Sequence, residues 1–192
     1  MRMVSRMKAL AWATVLGGAL FSAQPASAAL IMGGTLDYAG GEVTVTTLPV
    51  SSGYTSELGL YDSSFTLVRF LALDEPAGVS VTFDPSDDGF GVGDELIFGI
   101  RVLNTGDTFF MGPASRNADN VIHNRVITDF DAGVYGIGTY VGFEDLFGGG
   151  DQDFDDNAFL FTGGITAVPE PVTIVLLGIG LGAARLTRRR RA

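Results

Sequence analysis

The sequence predicts an all-β domain, an antiparallel β-sandwich or jelly-roll, carried between two short terminal segments. Three observations predict it. Apolar and polar residues alternate with period two in short runs, as in Val43-Thr44-Val45-Thr46 and Val79-Ser80-Val81-Thr82-Phe83. Clusters of Gly, Asp, Asn and Pro separate those runs, and no stretch of the body keeps a helical period with caps at both ends. The chain has 192 residues, 46% of them apolar, with 14 Phe and 27 Gly. That suits one domain with a packed core and argues against broad disorder. No fixed period repeats, which excludes a solenoid or propeller.

The first element is an export segment. Arg2, Arg6 and Lys8 precede an apolar run from Ala9 to Phe21, and Gln24-Pro25 leads into the small-x-small site Ala26-Ser27-Ala28. This order is that of a secretory signal peptide over residues 1–28, cut by signal peptidase after Ala28. The run is too short to span a bilayer comfortably, which disfavours an uncleaved anchor.

The body, residues 29–167, carries the strands. Candidates are Val43–Thr46, Ser64–Leu73, Val79–Phe83, Leu96–Val102, Thr108–Met111, Val121–Phe130, Gly133–Phe143 and Asp156–Phe161. Phe65, Phe70, Phe83, Phe98, Phe109, Phe143, Phe159 and Phe161 are expected in the core, because strand aromatics bury large areas. Eight of the twelve bases lie near the two ends of the chain, so the body holds only Arg69, Arg101, Arg116 and Arg125 against 21 acids, 4 − 21 = −17. Such a surface repels phosphate backbones, and nucleic acid is excluded as a partner. The absence of Cys removes disulfides, thiol nucleophiles and Cys-ligated metals; a single His, His123, removes His-dependent triads and multi-His sites.

The densest chemical feature is the stretch from Gly142 to Asn157. Three glycines, Gly148-Gly149-Gly150, let a loop curl, and Glu144, Asp145, Asp151, Asp153, Asp155, Asp156 and Asn157 place oxygen donors on it. Hard cations, Ca²⁺ above all, prefer such donors. The competing reading is a solvated acidic turn whose Asp side chains bond nearby N–H groups. The stretch resembles the C-terminal signature of a secreted bacterial domain family of unknown function: Gly-Phe-Glu-Asp, two residues, Gly-Gly-Gly-Asp-x-Asp, an aromatic, x-Asp, then an apolar strand. Glu144, Asp145, Asp151, Asp153 and Asp156 match it, with Phe154 as the aromatic and Ala158-Phe159-Leu160-Phe161 as the strand. An EF-hand begun at Asp151 fails, because Asp156 and Thr162 occupy the positions that need Gly and Glu. A second acidic stretch, Asp84-Pro85-Ser86-Asp87-Asp88-Gly89 with Asp94 and Glu95, reads as ordinary turn chemistry. His123 is expected to be a surface or hydrogen-bonded structural residue, and Arg116 and Arg125 are expected to pair with neighbouring carboxylates.

The last element, residues 168–192, contains Pro169-Glu170-Pro171, an apolar stretch from Val172 to Ala184, and Arg185 with Arg188, Arg189, Arg190 and Arg191. An Arg cluster holds the C-terminus in the cytoplasm, and a short apolar segment stops translocation. The tail resembles the PEP-CTERM sorting signal of Gram-negative bacteria. That resemblance implies an exosortase-type membrane protease as processing partner and a precursor anchored in the inner membrane, destined for the cell envelope, cell surface or extracellular matrix.

The functional expectation is a non-catalytic exported protein of the surface or extracellular matrix, associated with exopolysaccharide and stabilised by Ca²⁺. The alternatives are a carbohydrate-binding module or a glycoside hydrolase using a carboxylate pair such as Glu144 and Asp155.

Overall fold

A computed structural model of the chain describes residues 28–74 and 76–169. They form ten strands: β1 (Leu30–Met32), β2 (Thr35–Thr47), β3 (Ser56–Tyr61), β4 (Leu67–Leu73), β5 (Ser80–Phe83), β6 (Glu95–Val102), β7 (Thr108–Phe110), β8 (Asn124–Asp131), β9 (Ile137–Phe143) and β10 (Asn157–Val168). The only helical pieces among the described residues are 3₁₀ turns at Pro85–Asp88, Ala114–Arg116 and Gly133–Tyr135. Every strand pairing is antiparallel, so the domain is all-β as the alternation predicts.

The strands run in the order β1-β8-β9-β10-β2-β6-β3-β4, with β5 also on β2 and β7 also on β6. Strand β2 joins the two ends of this path. Leu36 and Asp37 pair with Leu96 and Glu95 of β6, whereas Val43 to Thr46 pair with β5. Along its other edge β10 follows it from Phe159, opposite Thr47, to Val168, opposite Thr35. The two strands bend together where the register shifts between Gly163 and Ile165. A Cβ on Gly163 would strike the Glu42 carbonyl, and one on Gly164 the Gly40 carbonyl, while Gly40, Gly41 and Gly163 all have positive φ. Only glycine permits this close backbone crossing at a sheet corner.

Inward-facing side chains from both ends of the path meet in one core, which includes Leu36, Val45, Leu58, Leu60, Phe98, Ile100, Phe109, Val141, Phe159 and Phe161. The Phe98 and Phe161 rings lie 4.7 Å apart in a tilted contact. Strand β10 is buried on both faces, because Ala158 and Leu160 join Leu48 and Tyr140 in a second, smaller cluster. Among the described residues, both clusters draw on residues between Ile31 and Ala167.

Two expectations need correction. Strands β1 and β3 have no counterpart among the predicted runs; Ser-Glu-Leu-Gly-Leu-Tyr lacks β-branched residues and carries a central Gly, yet lies between β4 and β6 and is almost wholly buried. Phe65 and Phe70 are not core residues but 40% and 51% exposed. Phe65 sits at φ 60° in the turn before β4. Register shifts in the β3–β4 pairing break the inward-outward alternation and leave Phe70 opposite Gly59 on the outer side.

Candidate cation site

The acidic loop joins β9 to β10. Its base is closed by the Phe143–Asn157 pairing, so Glu144 and Asp156 face each other across the neck of a hairpin. Gly148, Gly149 and Gly150 all take positive φ, and Gln152 and Phe154 follow at 63° and 56°. A run of this hand is open only to glycine without strain; Phe154 is held there by burial of its ring and by the Tyr140 hydroxyl, which donates to its carbonyl at 2.8 Å.

Glu144 lies at the bottom of this loop and is completely buried. Its Oε1 accepts the Phe154 N–H at 2.5 Å, whereas its Oε2 is buried with no donor in hydrogen-bond geometry. That oxygen is aimed at Gly150, where a Cβ would collide with it. Asp151 and Asp153 are exposed, and one carboxylate oxygen from each lies within 4.8 Å of one from Glu144. Oxygens bound to a single Ca²⁺ at ~2.4 Å stand no more than ~4.8 Å apart, so the three fit around one ion. Burial, then the Asp151 and Asp153 charges, push the Glu144 carboxyl above its ordinary range, against the pull of the Phe154 and Gln152 N–H groups. A cation bound there would neutralise the two neighbouring charges and offset the cost of burial.

The remaining predicted donors form an adjoining group. Asp145 is buried and accepts the Ser52 hydroxyl at 2.5 Å, with the Asn157 amide nitrogen at 3.4 Å. The Asp145 N–H donates to Asp156 Oδ2 at 3.2 Å. Burial, with the charges of Asp145 and Glu144, raises the Asp156 pKa to about 6. Asn157 Oδ1 is buried and unpartnered. Asp155 stands apart: its N–H donates to Asp153 Oδ1 at 3.3 Å, and burial followed by the Asp153 charge raises its pKa.

Three supporting residues were not singled out as part of this site. Asp119 Oδ2 accepts both the Gly148 N–H and His123 Nε2, each at 2.7 Å, while Oδ1 accepts the Val121 N–H at 3.1 Å. His123, wholly buried and stacked on Phe109 at 3.9 Å, places Nδ1 3.0 Å from the Glu144 carbonyl, and its own carbonyl accepts the Glu144 N–H at 2.9 Å. Both ring nitrogens therefore face acceptor oxygens. Burial alone would raise Asp119, but the Gly148 N–H, His123 and the Val121 N–H outweigh it and hold its carboxyl below the usual range. The Asp–x₃–His spacing was legible in sequence; Ser52, the third, carried no signal. His123 is hydrogen-bonded, as one expectation had it, and lies in the interior and not at the surface.

The second acidic stretch is already satisfied internally. Asp84 caps the 3₁₀ turn by accepting the Ser86 N–H and also takes the Tyr38 hydroxyl; Asp88 holds Arg69, and Asp94 takes the Gly91 N–H. Arg116 pairs with Glu95 at 2.6 Å, as expected. Arg125 lies instead over the Tyr140 and Phe154 rings, 5.6 and 5.8 Å from their centroids. Of the processing residues, Ala28 and Pro169 are exposed at the two ends of the described chain. Ala26, Glu170, Pro171, Arg188, Arg189, Arg190 and Arg191 lie outside the described residues. Comparison with protein families, curated proteins and solved structures finds no match to this chain.

Proposed function

We propose that this chain is an exported, non-catalytic protein of the cell surface or extracellular matrix whose β9–β10 loop binds Ca²⁺. The observation that carries the calcium reading is Glu144 Oε2, a buried carboxylate oxygen with no donor in hydrogen-bond geometry, facing two further carboxylates at coordination spacing. An anion left unpaired in a core is strongly disfavoured, and a divalent ion is the partner that also neutralises Asp151 and Asp153. Calorimetry on the purified protein should show Ca²⁺ binding that disappears in the Asp151→Asn/Asp153→Asn double variant. A flat titration of the unaltered protein overturns the reading.

Export rests on the terminal segments. The Ala26-Ser27-Ala28 site supports cleavage by signal peptidase, and Pro169-Glu170-Pro171 with Arg188 to Arg191 supports handling by an exosortase-type protease after anchoring in the inner membrane. Deleting Arg188 to Arg191 should leave an unprocessed precursor in fractionation and mass spectrometry; normal processing would remove the sorting reading.

A two-layer sandwich is the reading of the fold we favour, since strands from both ends of the path enclose one core. A hydrolase using Glu144 is disfavoured because that carboxyl is sealed from solvent and one oxygen is committed to a backbone N–H. A binding module for exopolysaccharide shares the same fold and differs only in partner.

A further inference from the structure

The outer face of β8, β9 and β10 carries a cleft of about 500 Å³ where β8 turns into β9. Its floor belongs to the smaller apolar cluster: Leu48, Tyr140 and Ala158, all buried. Phe130 and Tyr135, both half-buried, line it as well, and Asp131 is the one acid that does so. A bulge puts Phe130 there. The β8–β9 register shifts between Ile127 and Phe130, and Asp129 takes φ 51°, so Phe130 joins Ile127 on the outer face and rests 4.9 Å from the Tyr140 ring. Bulges re-aim single side chains in this way and recur beside binding sites. Tyr135 lies in the 3₁₀ turn that follows and packs beside Gly78, where a Cβ would come within 3.3 Å of its ring. Three aromatic side chains thus share one cleft with a single carboxylate.

The chemistry of the lining selects the ligand. The segments that form the cleft, 47–52, 128–140 and 157–160, contain Asp129 and Asp131 and no base. Arg125, towards the other end of β8, stacks on Tyr140 and Phe154, and its charge is met by Asp155. Asp131 Oδ1 accepts the Gly133 N–H at 2.9 Å, and among the described residues no cation pairs with this carboxylate. An anion is repelled here, and a neutral sugar leaves hydroxyl groups against apolar walls. A neutral hydrophobe strips water from Asp131 and returns no partner. An ammonium ion on an apolar stem meets both demands: the carboxylate and the aromatic rings attract its charge, and its stem covers the floor. We infer that this cleft binds a small organic ammonium ion, with Asp131 as its counter-ion and Phe130, Tyr135 and Tyr140 packed around it. The cleft shares no residue with the β9–β10 loop, so it stands whether or not that loop holds Ca²⁺.

Three ligands with the same ring and different charge provide the test: phenylethylammonium, phenylethanol and phenylacetate, each titrated against the purified full chain and followed by NMR. The ammonium ion should bind about tenfold or more tightly than the alcohol, phenylacetate should not bind, and the ammonium affinity should fall as NaCl rises. Asp131→Asn keeps an oxygen for the Gly133 N–H and removes the charge, so it should weaken the ammonium ion by about threefold or more and leave the alcohol unchanged. Tyr135→Ala, in an exposed turn, should weaken both ligands. No binding by any of the three, equal affinity for the alcohol and the ammonium ion, ammonium binding that survives both variants, or tighter binding of methyl glucoside overturns the inference.

Discussion

Glu144 and Asp119 are two buried carboxylates placed close together in the fold with opposite fates. Asp119 receives three donors and is held ionised below its ordinary range, whereas Glu144 receives one and is pushed above it. Opposite mutational signs follow. Glu144→Gln removes a charge that burial disfavours, so in EDTA the variant should unfold at higher denaturant than the parent, by about 1 kcal/mol or more, yet gain nothing from Ca²⁺. Asp119→Asn should lose about 1–3 kcal/mol, because an amide has one acceptor oxygen where three donors converge on two. Urea unfolding with and without Ca²⁺ measures both. The loop's own acids were legible because they crowd between glycines. Their supports were not: Ser52 is far away in sequence from Asp145, and a serine among loop residues carries no mark of the carboxylate it will meet.

Strands were legible where β-branched and aromatic residues alternate, as in the Val43–Thr46 part of β2 and in β5 and β6, and illegible where pairing partners decide. Strand β3 is made by its neighbours, for it is zipped between β4 and β6 along its whole length. Phe70 failed as a core residue for a related reason, since a bulge changes which side a residue faces and hydrophobicity alone cannot locate a bulge, whereas Phe65 failed because it stands in the turn before β4. The β2–β10 corner offers a sharp test of element geometry. Gly163→Ala combines a positive φ with a Cβ aimed at the Glu42 carbonyl and should destabilise by about 3 kcal/mol or more. Gly93→Ala, also at positive φ but with open space around it, should cost less. In β10 itself, Phe159→Ala should cost about 3–5 kcal/mol, since its ring is fully buried beside Phe143. Thermal or denaturant unfolding of the three variants gives the order.

At the scale of the molecule, the acids make stability depend on pH in an unusual direction. Asp156 titrates near 6 in the folded state against an ordinary value of 3.8, and burial also raises Glu144 and Asp155. The folded state therefore binds more protons than the unfolded one, so these groups cost stability above about pH 6 and the cost fades as pH falls towards about 4. Asp119 acts in the other sense, losing its contribution only at lower pH. The ion-free protein should be more stable near pH 5 than near pH 7, and Ca²⁺ should narrow that difference by neutralising the charges that raise Asp156. Denaturant curves at the two pH values, with EDTA and with Ca²⁺, check the sign.

The pairing of Val168 with Thr35 has a consequence for how such a body can be reused. Strand β2, the second along the chain, begins beside the end of β10, so only the short β1 separates entry from exit, and such a unit could be spliced into a loop of a larger polypeptide with little spreading of its host. It is a cassette whose two splice points are a three-residue strand away from meeting.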